Sequence, residues 1–278
     1  MAEGSPKRGF FLVAQITDMH VGEAGALAFG LIDTAARLAA CVARINALEQ
    51  APDLVVATGD LVDKGSLAEY RNLREILTPL RMPFYLIAGN HDDRGNLRKV
   101  FADHAYLNHD PEYLHYVIED YPVRIVAADT VVPGRAGGLM DAARLSWLST
   151  ALAKDCERAT ILLMHHPPFQ TGIIHMDGMG CEGADELAEV IAANSQVERI
   201  LCGHVHRTIL HRFAGTTAMI APSTAFQVAL DLDPVAPACW TDEPAGFALH
   251  HWSPAGGLAS HVCTVADPGP KRPFRVMS

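Results

Sequence analysis

The chain has 278 residues, is 49% apolar and carries a formal net charge of -10. It is long enough to bury a substantial core, as one large α/β domain or a domain plus a small appendage. Acidic and basic residues are interspersed, which argues against a nucleic-acid polymer or an anionic membrane surface as the main partner.

The apolar run from Phe10 to Ile16 is expected to be a strand buried on both faces. It is too short for a signal core or a spanning helix. Asp33 is a candidate N-cap for a helix carrying Leu38, Val42, Ile45 and Leu48. Asp53 to Thr58 is a second buried strand. Ser66 to Glu69 matches a capping box ahead of Leu73, Ile76 and Leu77, with Pro79 as the stop. Phe84 to Ala88 is a third strand, and a shorter helix follows from Gly95 to Phe101.

Tyr113 to Glu119 and Val123 to Ala128 are expected to form an antiparallel pair, since too few residues separate them for a crossover. Asp141 can cap a helix bearing Leu145, Leu148 and Leu152. Thr160 to Met164 and Arg199 to Cys202 are further buried strands, with a helix from Ala184 to Ala193 between them. The stretch from Phe169 to Gly183 has no clear period and is expected to be a functional loop. Beyond Arg207, short runs separated by turns (Thr208 to Phe213, Thr217 to Ile220, Ala225 to Leu230, Gly246 to Trp252, Leu258 to Val265) suggest a second, mostly antiparallel sheet. Asp231 to Pro244, with three prolines, is expected to be a loop or lid.

Five polar clusters each follow an apolar run: Asp18-Met19-His20, Gly59-Asp60, Gly89-Asn90-His91-Asp92, His165-His166 and Gly203-His204-Val205-His206. Ligands of open α/β sheets bind at the carboxyl ends of parallel strands, where all five fall. Singly, each has a plain structural reading as a cap, a turn or an interior His; five at equivalent strand ends are hard to explain that way. A carboxylate can bridge two cations, imidazole selects first-row transition metals over Mg or Ca, and an amide such as Asn90 adds a ligand without charge. Glycine before Asp60, Asn90 and His204 lets the backbone approach closely.

In this order the clusters resemble those of the calcineurin-like metallophosphoesterase superfamily, over roughly the first three quarters of the chain. The resemblance implies an α/β fold arranged as a four-layer αββα sandwich. It implies one metal held by Asp18, His20, Asp60 and His206, and a second held by Asp60, Asn90, His165 and His204, with Asp60 bridging. Lys64 stands where the Ser/Thr protein phosphatases carry Arg, and Asp92 where they carry Glu. Gly89 to Arg94, His165 to Phe169 and Met176-Asp177 look more like the class III cyclic-nucleotide phosphodiesterases and glycerophosphodiesterases.

The function expected is two-metal hydrolysis of a small phosphodiester, with the cations roughly 3.5 to 4 Å apart and supplying hydroxide from a coordinated water of pKa ~7. The metals are expected to be Mn, Fe, Zn or Co. His91 is the candidate to stabilise the transition state or protonate the leaving group. Asp63 and Asp92 are expected to orient imidazoles. His166 is left out of the ligand set because alternation along a strand turns it away from His165, Arg207 is read as solvated, and Trp240 is read as a packing residue. The alternatives are a phosphomonoesterase on the same core or a non-catalytic scaffold.

Residues 1–230 are read as the catalytic domain, and 231–278 as a segment that completes the second sheet and could act as a cap or subunit contact. Six scattered cysteines without a C-x-x-C pair, and a polar N-terminus, lead to the expectation of a cytoplasmic protein, with a homo-oligomer as the expected assembly.

Overall fold

The computed structural model describes residues 9–274. The continuous apolar runs form strands, and the amphipathic runs between them form helices. Strands β1 (Phe11–Ile16) and β2 (Leu54–Thr58) are buried at every position. Between them, α1 (Thr34–Asn46) starts where the Asp33 side chain accepts from the amide of Ala36, and it buries Leu38, Cys41, Val42 and Ile45. Helix α2 (Leu67–Leu77) opens with the Ser66/Glu69 capping box and is followed by β3 (Phe84–Ile87). Helix α3 (Arg94–Val100) is capped by Asp93.

Strands β4 (Tyr116–Ile118) and β5 (Arg124–Ala127) pair antiparallel. The short β6 (Gly138–Leu139) precedes α4 (Ala142–Ala153), which Asp141 caps. Then come β7 (Thr160–Leu163), α5 (Ile174–Asp177), β8 (Cys181–Glu182), α6 (Ala184–Ala192) and β9 (Val197–Cys202). The remaining strands are β10 (Ile209–Phe213), β11 (Thr216–Ile220), β12 (Gln227–Val228), β13 (Trp240–Thr241), β14 (Gly246–Ser253) and β15 (Gly257–Thr264).

Two sheets face each other. One runs β15-β14-β1-β2-β3 and the other β10-β11-β9-β7-β5-β4. Alternation along the strands of the second sheet shows the layering. Ile125, Ala127, Ile161, Leu163, Leu201 and Met219 join a core with the first sheet and α1, α2 and α3. Their neighbours Val126, Leu162, Ile200, Ala218 and Ile220 point the other way, onto Leu148 and Leu152 of α4 and Leu187 and Ile191 of α6. Since successive side chains leave opposite faces of a strand, the order helix, sheet, sheet, helix follows. The fold is the four-layer αββα sandwich. Buried Gln15 ties the sheets together, its Nε2 donating to Thr58 Oγ1 on one sheet and to the Cys202 carbonyl on the other, both at 2.9 Å.

The expectation of a separate antiparallel sheet beyond Arg207 is corrected. Strand β11 pairs parallel to β9, with β10 outside it, whereas the hairpin β14–β15 pairs antiparallel to β1. The C-terminal hairpin therefore extends the first sheet, not the second. Alternating patterns reveal that these runs are strands but not which of two open sheet edges each will cover. The expected strand from Ala225 to Leu230 shrinks to β12, which pairs only with β13 and closes the 229–239 loop. The 169–183 stretch is more ordered than its lack of period suggested: it contains α5, and β8 pairs with β6. Asp177 pins it by accepting from the amide and hydroxyl of Thr171 and from the Gly172 amide.

Candidate metal centre

The five clusters sit on loops that leave the carboxyl ends of β1, β2, β3, β7 and β9, and the facing of the two sheets brings these ends together. The backbone is forced there. Asp18, His20, Asp60, His204 and His206 have φ of 50°, 42°, 48°, 73° and 59°. Left-handed conformations at non-glycine residues cost of order 1–3 kcal/mol each and persist where the surroundings over-determine them. Here they turn residues two apart back toward one point. The loops also brace one another, with the amides of Asp18 and His20 donating to the carbonyls of Gly59 and Asp60, each at 3.0 Å. Gly89 cannot carry a side chain, because a Cβ there would collide with the Asp60 carboxylate.

Asp18, His20, Asp60 and His206 place one ligand atom each within 4.8 Å of all the others. His20 Nε2 lies 3.1 Å from His206 Nε2 and 3.6 Å from Asp60 Oδ2, and Asp18 Oδ1 lies 3.6 Å from His206 Nε2. His206 Nδ1 donates to the Phe226 carbonyl at 2.9 Å, which leaves the Nε2 lone pair facing the cluster. On the other side of the same carboxylate oxygen, His165 Nε2 lies 3.4 Å from Asp60 Oδ2 and 3.3 Å from Asn90 Oδ1. His204 Nδ1 lies 3.0 Å from Asn90 Oδ1. Asp60 Oδ2 thus faces both groups, as a bridging ligand must.

The donor chemistry fits metal ions. His165 Nδ1 donates to the Thr58 carbonyl at 2.8 Å, so its Nε2, Asp60 Oδ2 and Asn90 Oδ1 are three acceptors that face one another and call for a cation. Burial lowers His20 well below the ordinary His value and pushes His204 down to about 3, which keeps both neutral, the form that ligates. Burial raises the Asp60 carboxyl, but the imidazoles of His165, His20 and His91 outweigh it and hold the group well below the usual carboxylate range. Burial opposes a charge on His165, yet Asp60 raises it to about 9. A positive charge is therefore favoured between Asp60 and His165, where a metal would sit.

His91 lies beside the cluster. Its amide donates to Asp60 Oδ1 at 2.9 Å, its Nδ1 donates to the Asp63 carbonyl at 2.7 Å, and its ring stands edge-on to His20 at 4.6 Å. Asp63 therefore orients His91 through its backbone, while its carboxylate lies 3.8 Å from His20 Nδ1. Asp92 is found on backbone and tyrosine donors instead of an imidazole. It accepts from the amides of Gly89 at 2.8 Å and Leu61 at 3.1 Å, and from the Tyr70 hydroxyl at 2.8 Å. It clamps together the two loops that carry Asp60 and Asn90.

His166 does not turn away from the site, because its ring is 4.6 Å from that of His204. Both of its nitrogens are engaged, Nδ1 with the Thr130 hydroxyl at 2.8 Å and Nε2 with the Ala136 carbonyl at 3.0 Å. Arg207 is also not simply solvated, since it pairs with Glu243 and donates to the Val228 carbonyl. Phe226, which packs on His20 and His206 and fixes the His206 tautomer, had no local signal in the sequence.

The chain matches the calcineurin-like phosphoesterase family over residues 11–208 and belongs to that family. It is similar to a probable glycerophosphodiester phosphodiesterase of Arcobacter nitrofigilis, 37% identical over 252 residues that cover 90% of this chain and 92% of the relative. It is also similar to a 3′,5′-cyclic adenosine monophosphate phosphodiesterase of Escherichia coli, 30% identical over 260 residues that cover 92% of this chain and 90% of the relative. A solved dimetal phosphatase from Danio rerio shares the fold, with a TM-score of 0.63 at 14% identity, covering 92% of this chain and 99% of that one.

Proposed function

We infer that the protein is a dinuclear-metal-dependent phosphodiesterase acting on a small diester, a 3′,5′-cyclic nucleotide or a glycerophosphodiester. The single observation that carries this reading is the placement of Asp60 Oδ2 between two groups of side chains that can ligate a cation, 3.6 Å from His20 on one side and 3.4 Å from His165 on the other. The names of the relatives support a diester as substrate. Asp18, His20, Asp60 and His206 would hold one metal, and Asp60, Asn90, His165 and His204 the other. Divalent cations there would polarise phosphoryl oxygens and activate water at neutral pH. The mixed imidazole and carboxylate set suits Mn, Fe, Co or Zn.

The chain's own contribution is orientation and proton handling. His91 Nδ1 is committed to the Asp63 carbonyl, so Nε2 is the nitrogen that can hold a proton and give it to the departing alkoxide. The Asp92 clamp keeps the Asp60 and Asn90 loops in register. A cavity of about 330 Å³ bordered by His20, Asp63 and Lys64 leads away from the ligands and offers room for an ester group. None of the described helices is long and apolar enough to cross a membrane. Six free cysteines support a reducing, cytoplasmic setting.

The test is hydrolysis of 3′,5′-cyclic AMP, a glycerophosphodiester and p-nitrophenyl phosphate by metal-stripped protein reconstituted with Mn, with Asp60→Ala as control. Diester turnover lost in the variant supports the reading. Turnover of the monoester alone overturns it.

A further inference from the structure

Next to the metal ligands, the loop between β1 and α1 leaves large apolar side chains open, with Leu27 48% and Phe29 57% exposed. Ala28 and Ile32 exchange amide hydrogen bonds of 2.8 and 3.0 Å and close a tight turn with Phe29 near its tip. Phe29 has φ of 53°, a region that a bulky residue enters only at a cost. Its ring stacks on Trp240, with centroids 4.8 Å apart and planes 10° apart, and meets Phe226 edge-on at 5.0 Å. Phe226 in turn packs on the imidazoles of His206 at 4.7 Å and His20 at 5.4 Å. Trp240 is fixed by the pairing of β13 with β12. An aromatic wall thus runs outward from the metal ligands and leaves Phe29 exposed at its end. Beside it, the 330 Å³ cavity is bordered chiefly by polar side chains, among them Glu23, Asp63, Lys64 and Glu69, with Leu27 on its apolar side.

A diester bound with its phosphate at Asp60 must place one ester group in the space flanking the ligands. Glycerol hydroxyls would find polar partners in that cavity and gain nothing from the open faces of Leu27 and Phe29. A flat aromatic base would instead bury that open surface and stack on the Phe29 ring.

We propose that Leu27 and Phe29, with Trp240 positioning the Phe29 ring, form the specificity wall of the active site and bind the flat base of a nucleotide ester, a contact that a glycerol ester does not make. The proposal rests on the phosphodiesterase reading above and adds the basis of substrate choice.

The experiment compares Mn-reconstituted wild type, Phe29→Ala, Phe29→Tyr and Trp240→Ala on cyclic AMP and on glycerophosphoethanolamine. Losing the stacking face raises the KM for cyclic AMP about tenfold or more, with kcat within about threefold. The KM for glycerophosphoethanolamine stays near wild type, Phe29→Tyr restores cyclic AMP binding, and Leu210→Ala, on the edge strand β10 of the other sheet, changes neither substrate. A readout free of turnover is equilibrium titration with the phosphorothioate analogue of cyclic AMP, which binds about tenfold more weakly to Phe29→Ala. Equal KM changes on both substrates, or none on either, overturn the proposal. If wild type turns over neither diester, the phosphodiesterase reading falls, and the titration still decides the wall: equal affinity in wild type and Phe29→Ala overturns it, and weakened affinity upholds it.

Discussion

Replacing Asp92 with Ala should loosen the site without touching a metal ligand. Its partly buried carboxylate accepts three hydrogen bonds, from the amides of Gly89 and Leu61 and from the Tyr70 hydroxyl. Alanine leaves all three donors without that acceptor. An orphaned buried donor costs about 1–3 kcal/mol, so even with water entering the gap the loss should reach about 3 kcal/mol. At about 2–4 °C per kcal/mol for a chain somewhat smaller than this one, Tm should fall by about 6–12 °C. Because the two amides belong to the loops carrying Asp60 and Asn90, metal affinity should also fall, about 10- to 100-fold as for other groups that support ligands. Asp92→Asn keeps one acceptor and should lie between the two. Thermal unfolding and metal titration read both effects. A variant melting within about 2 °C of wild type with unchanged metal affinity would refute the clamp.

Three further outcomes follow from the same geometry. His91→Ala should lower kcat about 10²- to 10⁴-fold while metal content measured by elemental analysis stays near wild type, because the ring holds a proton without ligating. Gly89→Ala should abolish metal loading, since its Cβ collides with the Asp60 carboxylate, and retention of two metals would contradict the packing described. The fold should also weaken in acid through two histidines buried in neutral form. Burial and nearby Arg199 push His250 down to about 3, and burial pushes His115 down to about 4, against 6.5 for an ordinary His. The unfolded chain takes up these protons first, so stability is complete above pH ~6.5 and falls as pH drops toward those values, by up to about 1.4 kcal/mol per pH unit for each group. Urea unfolding at pH 7, 6 and 5 measures this, and His250→Gln should flatten the slope.

The placement of the candidate site was legible because its side chains sit at strand ends, and strand ends are local features. Asp18, His20, Asp60, Asn90, His165, His204 and His206 each follow a buried apolar run, and the structure gathers all seven. Helix starts were equally local: Asp33, Ser66 and Asp141 cap helices as their spacing suggested.

What depended on long-range choice was not legible. The hairpin β14–β15 could have covered either sheet, and only three-dimensional packing places it against β1. Strand alternation misled for His166, because β7 ends at Leu163 and the chain has already left the pleat. Asp92 was expected to orient an imidazole, yet its acceptors are claimed by Tyr70 and by the Leu61 amide, which is 31 residues away. Phe226 and Trp240 reach the site from beyond the family match, where no motif marks them.

The most direct test of the central claim is to titrate metal-stripped protein with Mn while following hydrolysis of cyclic AMP and glycerophosphoethanolamine. The bridging geometry of Asp60 predicts diester turnover that saturates at two equivalents per chain and is lost in Asp60→Ala. Saturation at one equivalent, or turnover that survives in Asp60→Ala, would contradict it.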